Sequence, residues 1–191
     1  NEDGLTPKIS LQRNAEKKFT NDRYVMIRPH NKGFNYNKKD VTIMKHAISE
    51  AYRFNAHGVV FGALNKGKTV DLSTNYELIN HAKDLNLYCT FHRAYDYCIN
   101  PIESFMEIKD IGFDWLLTSG QQQTAEQGIT LIKKLISIKG NLKILAGGGI
   151  SANNCNNFHD IGIDGIHFSI DKGGKIETKK INEIIKNLSI N

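Results

Sequence analysis

The chain has 191 residues, 40% hydrophobic and 24% charged, with a formal net charge of +5. That is ordinary globular composition with apolar side chains enough for one core, so a single domain over residues 1–191 is expected rather than a disordered or low-complexity chain. No apolar run approaches the ~18 residues of a membrane span, and the lysines are scattered rather than gathered with aromatics, so neither a membrane nor a nucleic acid is expected as a partner. The start of the chain lacks the basic and apolar halves of a signal peptide. The three cysteines, Cys89, Cys98 and Cys155, show no CxxC spacing, which suggests reduced thiols and a cytoplasmic setting.

A helix-like stretch over Lys8–Lys18 precedes the first apolar run, Tyr24–Ile27, which ends in Arg28–Pro29–His30. Val41, Met44, Ile48 and Ala51 then mark one face of a helix at about 40–55, with Asp40 as its N-cap. Gly58–Phe61 ends in Gly62–Ala63, and a helix at about 72–84 follows with Ser73 or Asp71 near its start. Leu87–Phe91 ends in His92–Arg93 with Asp96 just beyond, and the next helix is entered through Asn100–Pro101. Trp115–Leu117 ends in Thr118–Ser119–Gly120, before a helix at about 124–139. Leu142–Ala146 ends in Gly147–Gly148–Gly149, before a helix at about 151–161 capped by Ser151. Gly165–Ile166 ends in His167–Phe168–Ser169; residues 171–191 read as a turn at Lys172–Gly173–Gly174 and a last helix at about 178–188.

The strands are short and almost continuously apolar, as parallel strands buried on both faces are. Alternation with helices predicts an α/β fold of the TIM (β/α)8 barrel type, wound by right-handed crossovers. Only six strands are found, starting near residues 23, 58, 87, 114, 142 and 164. Either the first strand–helix–strand unit is missing from this chain or the sheet is open; the former is preferred, because two open edges invite aggregation.

These runs resemble a known family. Tyr24–Val25–Met26–Ile27–Arg28–Pro29, Gly58–Val59–Val60–Phe61–Gly62–Ala63–Leu64, Thr90–Phe91–His92–Arg93–Ala94–Tyr95–Asp96, Leu117–Thr118–Ser119–Gly120, Gly147–Gly148–Gly149–Ile150 and Gly165–Ile166–His167 with Ser169 look like the successive motifs of the CutC family. Gly4–Leu5–Thr6–Pro7 is similar to the segment after that family's second strand. The resemblance covers roughly residues 3 to 170 and implies a barrel that normally opens with a strand–helix–strand unit. It also implies a cytoplasmic role in copper homeostasis. The family's second arginine after the proline is His30 here, so a fixed positive charge is replaced by a titrating one.

In such a barrel the C-terminal ends of the strands share one mouth. Arg28 and Arg93 offer bidentate contacts to carboxylate or phosphate, with Ser119 and Ser169 as hydroxyl partners; the alternative is that both arginines form structural salt bridges. Gly147, Gly148 and Gly149 before a helix expose backbone N–H groups that suit phosphate, or else simply permit a tight turn. His92 and His167 are candidates for acid–base catalysis with Asp96 orienting one of them, against the alternative of satisfied core histidines. No GxGxxG, P-loop or GxSxG occurs.

Copper would come through Cys89 and Cys98, since Cu(I) prefers thiolates, although compact metal-site spacing is absent. The expected partner is a copper ion or a small anionic ligand, and homo-oligomerisation stays open. Two functions compete: copper homeostasis with an anion-binding mouth, and an enzyme acting on a small anionic or phosphorylated metabolite.

Overall fold

The computed structural model describes residues 4–172 and 175–188, the chain of residues 171, 172, 175 and 176 being described without its side chains. Gly173 and Gly174 of the expected turn lie outside these residues. The chain forms two compact units, Asn1–Trp115 and Leu116–Asn191. Both are built of alternating helices and strands, so the α/β class holds.

The first unit contains α1 (Ile9–Lys18), β1 (Tyr24–Met26), α2 (Lys38–Arg53), β2 (Gly58–Phe61), α3 (Leu72–Asp84), β3 (Tyr88–Phe91), a 3-10 turn (Arg93–Tyr97) and α4 (Pro101–Ile111). β1 pairs with β2 and β2 with β3, both parallel, with Val25, Val59 and Cys89 on one rung and Met26, Val60 and Thr90 on the next. The segment before α1 lies along the outer edge of β1. Thr6 N–H donates to Arg28 O at 3.0 Å, and Arg28 N–H donates to the Thr6 hydroxyl at 2.8 Å. Phe61 and Phe91 are fully buried and both pack on Phe113, with ring centroids 5.1 Å apart in each pair.

The second unit holds β4 (Trp115–Thr118, its first residue in the first unit), α5 (Ile129–Ile138), β5 (Lys143–Gly147), α6 (Cys155–His159), β6 (Gly165–His167), β7 (Asp171–Lys172), β8 (Lys175–Ile176) and α7 (Thr178–Leu188). β5 and β6 are parallel, with Ala146 opposite Ile166. Its core gathers Ala125, Ile132, Ala146, Ile150, Cys155, Phe158 and Ile184.

All six expected strands are present within a residue or so of their expected starts. Three helix starts differ. The cap of α2 is Asn37 rather than Asp40: Asn37 Oδ1 accepts from Lys39 and Asp40 N–H, while Asp40 Oδ2 accepts from Asn37 N–H at 3.0 Å. Asp40 is thus the reciprocal member of a capping box. α5 begins at Ile129 and not near 124, because residues 120–128 form a turn in which Gly128 lies directly against Ser119. α6 begins at Cys155 and not at Ser151. The Asn154 side chain bonds Ser151 N–H (2.9 Å) and Gly149 O (3.1 Å), making a polar turn of the expected first helical residues.

Two aspartates clamp strand starts in the same way. Asp114 Oδ2 accepts from Cys89 N–H (2.6 Å) and from Lys83 Nζ (2.5 Å). Asp164 Oδ2 accepts from Ile144 N–H (2.9 Å) and is paired with Lys139. Each anchors the second amide of the preceding strand and a lysine at the end of the helix before that strand. Asp114→Ala is expected to cost about 2 kcal/mol, since it strands a backbone donor that a carboxylate held. Urea unfolding would check this against Lys83→Ala, which loses only a part-exposed ion pair and should cost well under half as much. Equal losses would assign the effect to the ion pair.

Candidate functional site

The parallel register decides which side chains meet at the strand ends of the first unit. Met26, Val60 and Thr90 share a rung. Two residues further on, where side chains return to the same face, stand Arg28, Gly62 and His92. Ile27 N–H still donates to Val60 O (2.8 Å) and His92 N–H to Phe61 O (3.1 Å), so the ladder carries this alignment past the strands. The middle strand thus offers a hydrogen where its neighbours offer a guanidinium and an imidazole. A Cβ at residue 62 would fall 2.9 Å from His92 Nδ1 and from the Phe91 ring. Glycine is what lets His92 occupy its place.

His92 is 4% exposed. Its Nδ1 accepts from Ala94 N–H at 3.3 Å, capping the 3-10 turn. Burial pushes its pKa down to about 3 against the raising effect of a bond to its own backbone, with the nearby Arg28 charge adding to the fall. The ring is therefore neutral near pH 7 with its proton on Nε2, and Nε2 has no hydrogen-bond partner among the described residues. A buried donor left without an acceptor costs stability, which is unusual enough to mark a ligand position.

Phe34 joins His92 to Arg28. The guanidinium lies over the Phe34 ring, 4.7 Å from its centroid, and the His92 ring meets Phe34 edge-on at 4.9 Å. The Phe34 segment is pinned from below: Leu64 N–H donates to Phe34 O (2.8 Å) and Asn35 Nδ2 donates to Leu64 O (3.2 Å). The buried Asn75 side chain holds that segment in turn through both backbone groups of Ala63. Tyr36, two residues on, is buried; burial pushes its phenol up to about 12, outweighing the opposing charge and hydrogen bond of Arg28. His30 stacks at a tilt on Tyr36 (5.3 Å) and pairs with Asp40 (3.5 Å).

Other residues expected at the rim take definite partners. Arg93 Nε donates to Asp96 Oδ2 at 2.7 Å, so these two form a salt bridge with each other. Asp96 is not the orienting partner of His92, whose Nδ1 is taken by the turn backbone. In the second unit Ser119 is buried and donates to Gln122 O at 2.5 Å. Gly147 is buried against Leu117, while Gly148 and Gly149 adopt φ of +114° and +74°. Gly148 O accepts from Ala125 N–H and Gly149 O from Asn154, and the helix that follows has five residues, so little helix dipole reaches these glycines. His167 is exposed, in contrast to His92. Ser169 is exposed and its carbonyl accepts from Lys180 Nζ at 2.7 Å.

The donor set does not suit copper. Cys89, Cys98 and Cys155 are free thiols, all buried. Their sulfurs point at the carbonyls of Leu87, Ala94 and Ala152. Burial raises the Cys89 thiol to about 12 and also raises Cys98, so both stay protonated and are poor ligands. Among the described residues no group of three or more His, Cys, Asp or Glu side chains is gathered for a metal ion.

Phe34, Tyr36 and Asn75 escaped the sequence reading. The available signal was the aromatic-rich stretch Gly33–Phe34–Asn35–Tyr36 directly after a strand end, where barrel loops carry function. Among the described residues no helix is long and apolar enough to cross a membrane.

Comparison with known proteins places the chain in a family. A model of the CutC family matches residues 1–172. A CutC family protein of Histophilus somni is 38% identical over 168 residues, covering 87% of this chain and 68% of the relative. One from Photorhabdus laumondii is 35% identical, covering 88% of this chain and 67% of the relative. The solved CutC structure from Streptococcus agalactiae superposes with a TM-score of 0.80 at 25% identity, covering 87% of this chain and 82% of that one. On the extent of these matches, the chain belongs to the CutC family.

Proposed function

We propose that this protein is a cytoplasmic copper homeostasis protein of TIM-barrel architecture whose binding chemistry is the capture of a small anion by Arg28 and His92. The observation that carries the reading is the buried His92 Nε2–H, which lacks an acceptor beside a guanidinium. A cation and a neutral donor across a glycine gap suit an oxyanion. The copper role rests on the name of the Streptococcus agalactiae relative, which refers to copper homeostasis. Direct copper holding draws no support from the thiols. If copper is nonetheless held by them, Cys89→Ser with Cys98→Ser weakens Cu(I) binding in a chelator competition.

The anion reading is tested by calorimetric titration with acetate and inorganic phosphate. Arg28→Gln is expected to weaken whichever binds by about tenfold or more, and His92→Phe by about tenfold. His92→Gln, which retains an amide N–H, recovers part of the loss. Anions that bind Arg28→Gln and His92→Phe as well as the unaltered protein would overturn it.

The same imidazole favours the enzyme as a second reading. A neutral His92 is fit to donate to oxygen as negative charge develops on it. A turnover screen of carboxylated and phosphorylated metabolites, with His92→Phe as the control, separates catalysis from binding.

A further inference from the structure

We infer that the ligand at the β1–β3 strand ends is a carboxylate monoanion, and that the Tyr36 hydroxyl is its third hydrogen-bond donor beside Arg28 and His92. This rests on the anion-binding reading and adds to it the ligand class and a residue that neither the motifs nor the family comparison singles out.

Two side chains in the first unit are more than nine-tenths buried with a donor proton left without an acceptor next to the same guanidinium. His92 is 4% exposed with Nε2 unpartnered, and Tyr36 is 6% exposed with its oxygen turned to the Arg28 guanidinium and its O–H proton without an acceptor among the described residues. Each feels the Arg28 charge, and each is held neutral by burial. The carboxylate whose charge reaches Tyr36, that of Asp40, is already engaged through Oδ2, which takes Asn37 N–H at 3.0 Å and faces His30 Nε2 at 3.5 Å. The site therefore presents donors: a guanidinium, an imidazole N–H and a phenol O–H.

That set selects its ligand. A deprotonated carboxylate has only acceptors, and its two oxygens accept several N–H and O–H groups at once. Hydrogen phosphate brings an O–H that would itself need an acceptor, and a second negative charge. Arg93 does not supply the balancing cation, because its Nε is bound to Asp96 at 2.7 Å. The Phe34 ring covers one face of the Arg28 guanidinium, so its N–H edge is what a planar carboxylate meets. A buried O–H proton without an acceptor is destabilising, which a ligand relieves and a phenylalanine would abolish.

The test titrates acetate, benzoate and inorganic phosphate into the unaltered protein, Tyr36→Phe and His92→Phe, with thermal unfolding of each ligand-free form. The inference expects the carboxylates to bind more tightly than phosphate. It expects Tyr36→Phe to weaken carboxylate binding about tenfold while unfolding at the same or a higher temperature. Carboxylate affinity unchanged in Tyr36→Phe, or phosphate binding more tightly, overturns the inference; if His92→Phe still weakens binding in that case, the anion reading survives. A lower unfolding temperature for Tyr36→Phe assigns the hydroxyl a structural bond and also overturns it. No anion binding to the unaltered protein, or binding indifferent to His92→Phe, removes the anion reading and the inference together.

Discussion

Gly128→Ala is expected to destabilise the protein by more than about 3 kcal/mol, among the largest effects of any single methyl group added to this chain. A Cβ at residue 128 would lie 2.0 Å from Ser119 O and 2.7 Å from Gly120 Cα. The reciprocal position is no better: a Cβ on Gly120 falls 2.2 Å from Gly128 O, and Gly120 sits at φ +66°. Both obstacles are backbone, so no rotamer change relieves them. The turn between β4 and α5 has to open, taking with it the bond from Ser119 to Gln122. Gly162→Ala is the matched control. It has φ +73° with nothing within 4 Å of the added carbon, so only the left-handed conformation is penalised, at about 1 kcal/mol. Urea unfolding of the two variants measures the difference. Equal costs would show that the turn yields easily and that the crossing of the two glycines is not tight.

Acidification should destabilise the unaltered protein through His92 by about 2–3 kcal/mol between pH 7 and pH 4.5, over and above other groups. The folded pKa, about 3, lies below the ordinary imidazole value of 6.5. The unfolded chain therefore takes up a proton at His92 as pH falls through 6.5, while the folded protein resists until near 3. Stability is full above pH 6.5 and declines as pH drops toward 3. His92→Gln removes the titration, so its unfolding free energy should fall less between the same two pH values. Parallel pH profiles for the two proteins would mean that the imidazole is solvated or paired in the folded state. A bound carboxylate accepting from Nε2 would favour the protonated ring and shrink this loss, so the profiles are measured without ligand.

Most of the architecture was legible from residue order. Near-continuous apolar runs separated by amphipathic stretches place all six strands, and Val41, Met44, Ile48 and Ala51 are the buried face of α2 as their spacing requires. Helix starts were less legible, because several polar side chains compete for the same orphan N–H groups. Asn37 outbids Asp40 at α2 by bonding two amides at once, and Asn154 diverts 151–154 into a turn by reaching back to Gly149. At the site, the motif residues Arg28 and His92 were nameable because each ends a strand. Arg93 and Asp96 were also nameable, but their preference for each other depends on the 3-10 turn that brings them together, three residues apart.

The protonation states and the unfulfilled donors were out of reach of the sequence. A histidine after a strand reads the same whether solvated or sealed. Only packing under Phe34 and Phe91 strips its water and makes it neutral. The same holds for Cys89, where period-two reasoning assigns a face but not the burial that raises the thiol. The amino-acid order alone determined strand, helix, family and the polar character of the strand ends, because those follow from local periodicity and short motifs. Tertiary structure decided that Arg28 and His92 meet on the Phe34 ring and that the missing side chain at Gly62 leaves His92 its place. Those facts depend on strand register and on a loop pinned by Leu64 and Asn75, which are contacts between segments distant along the chain.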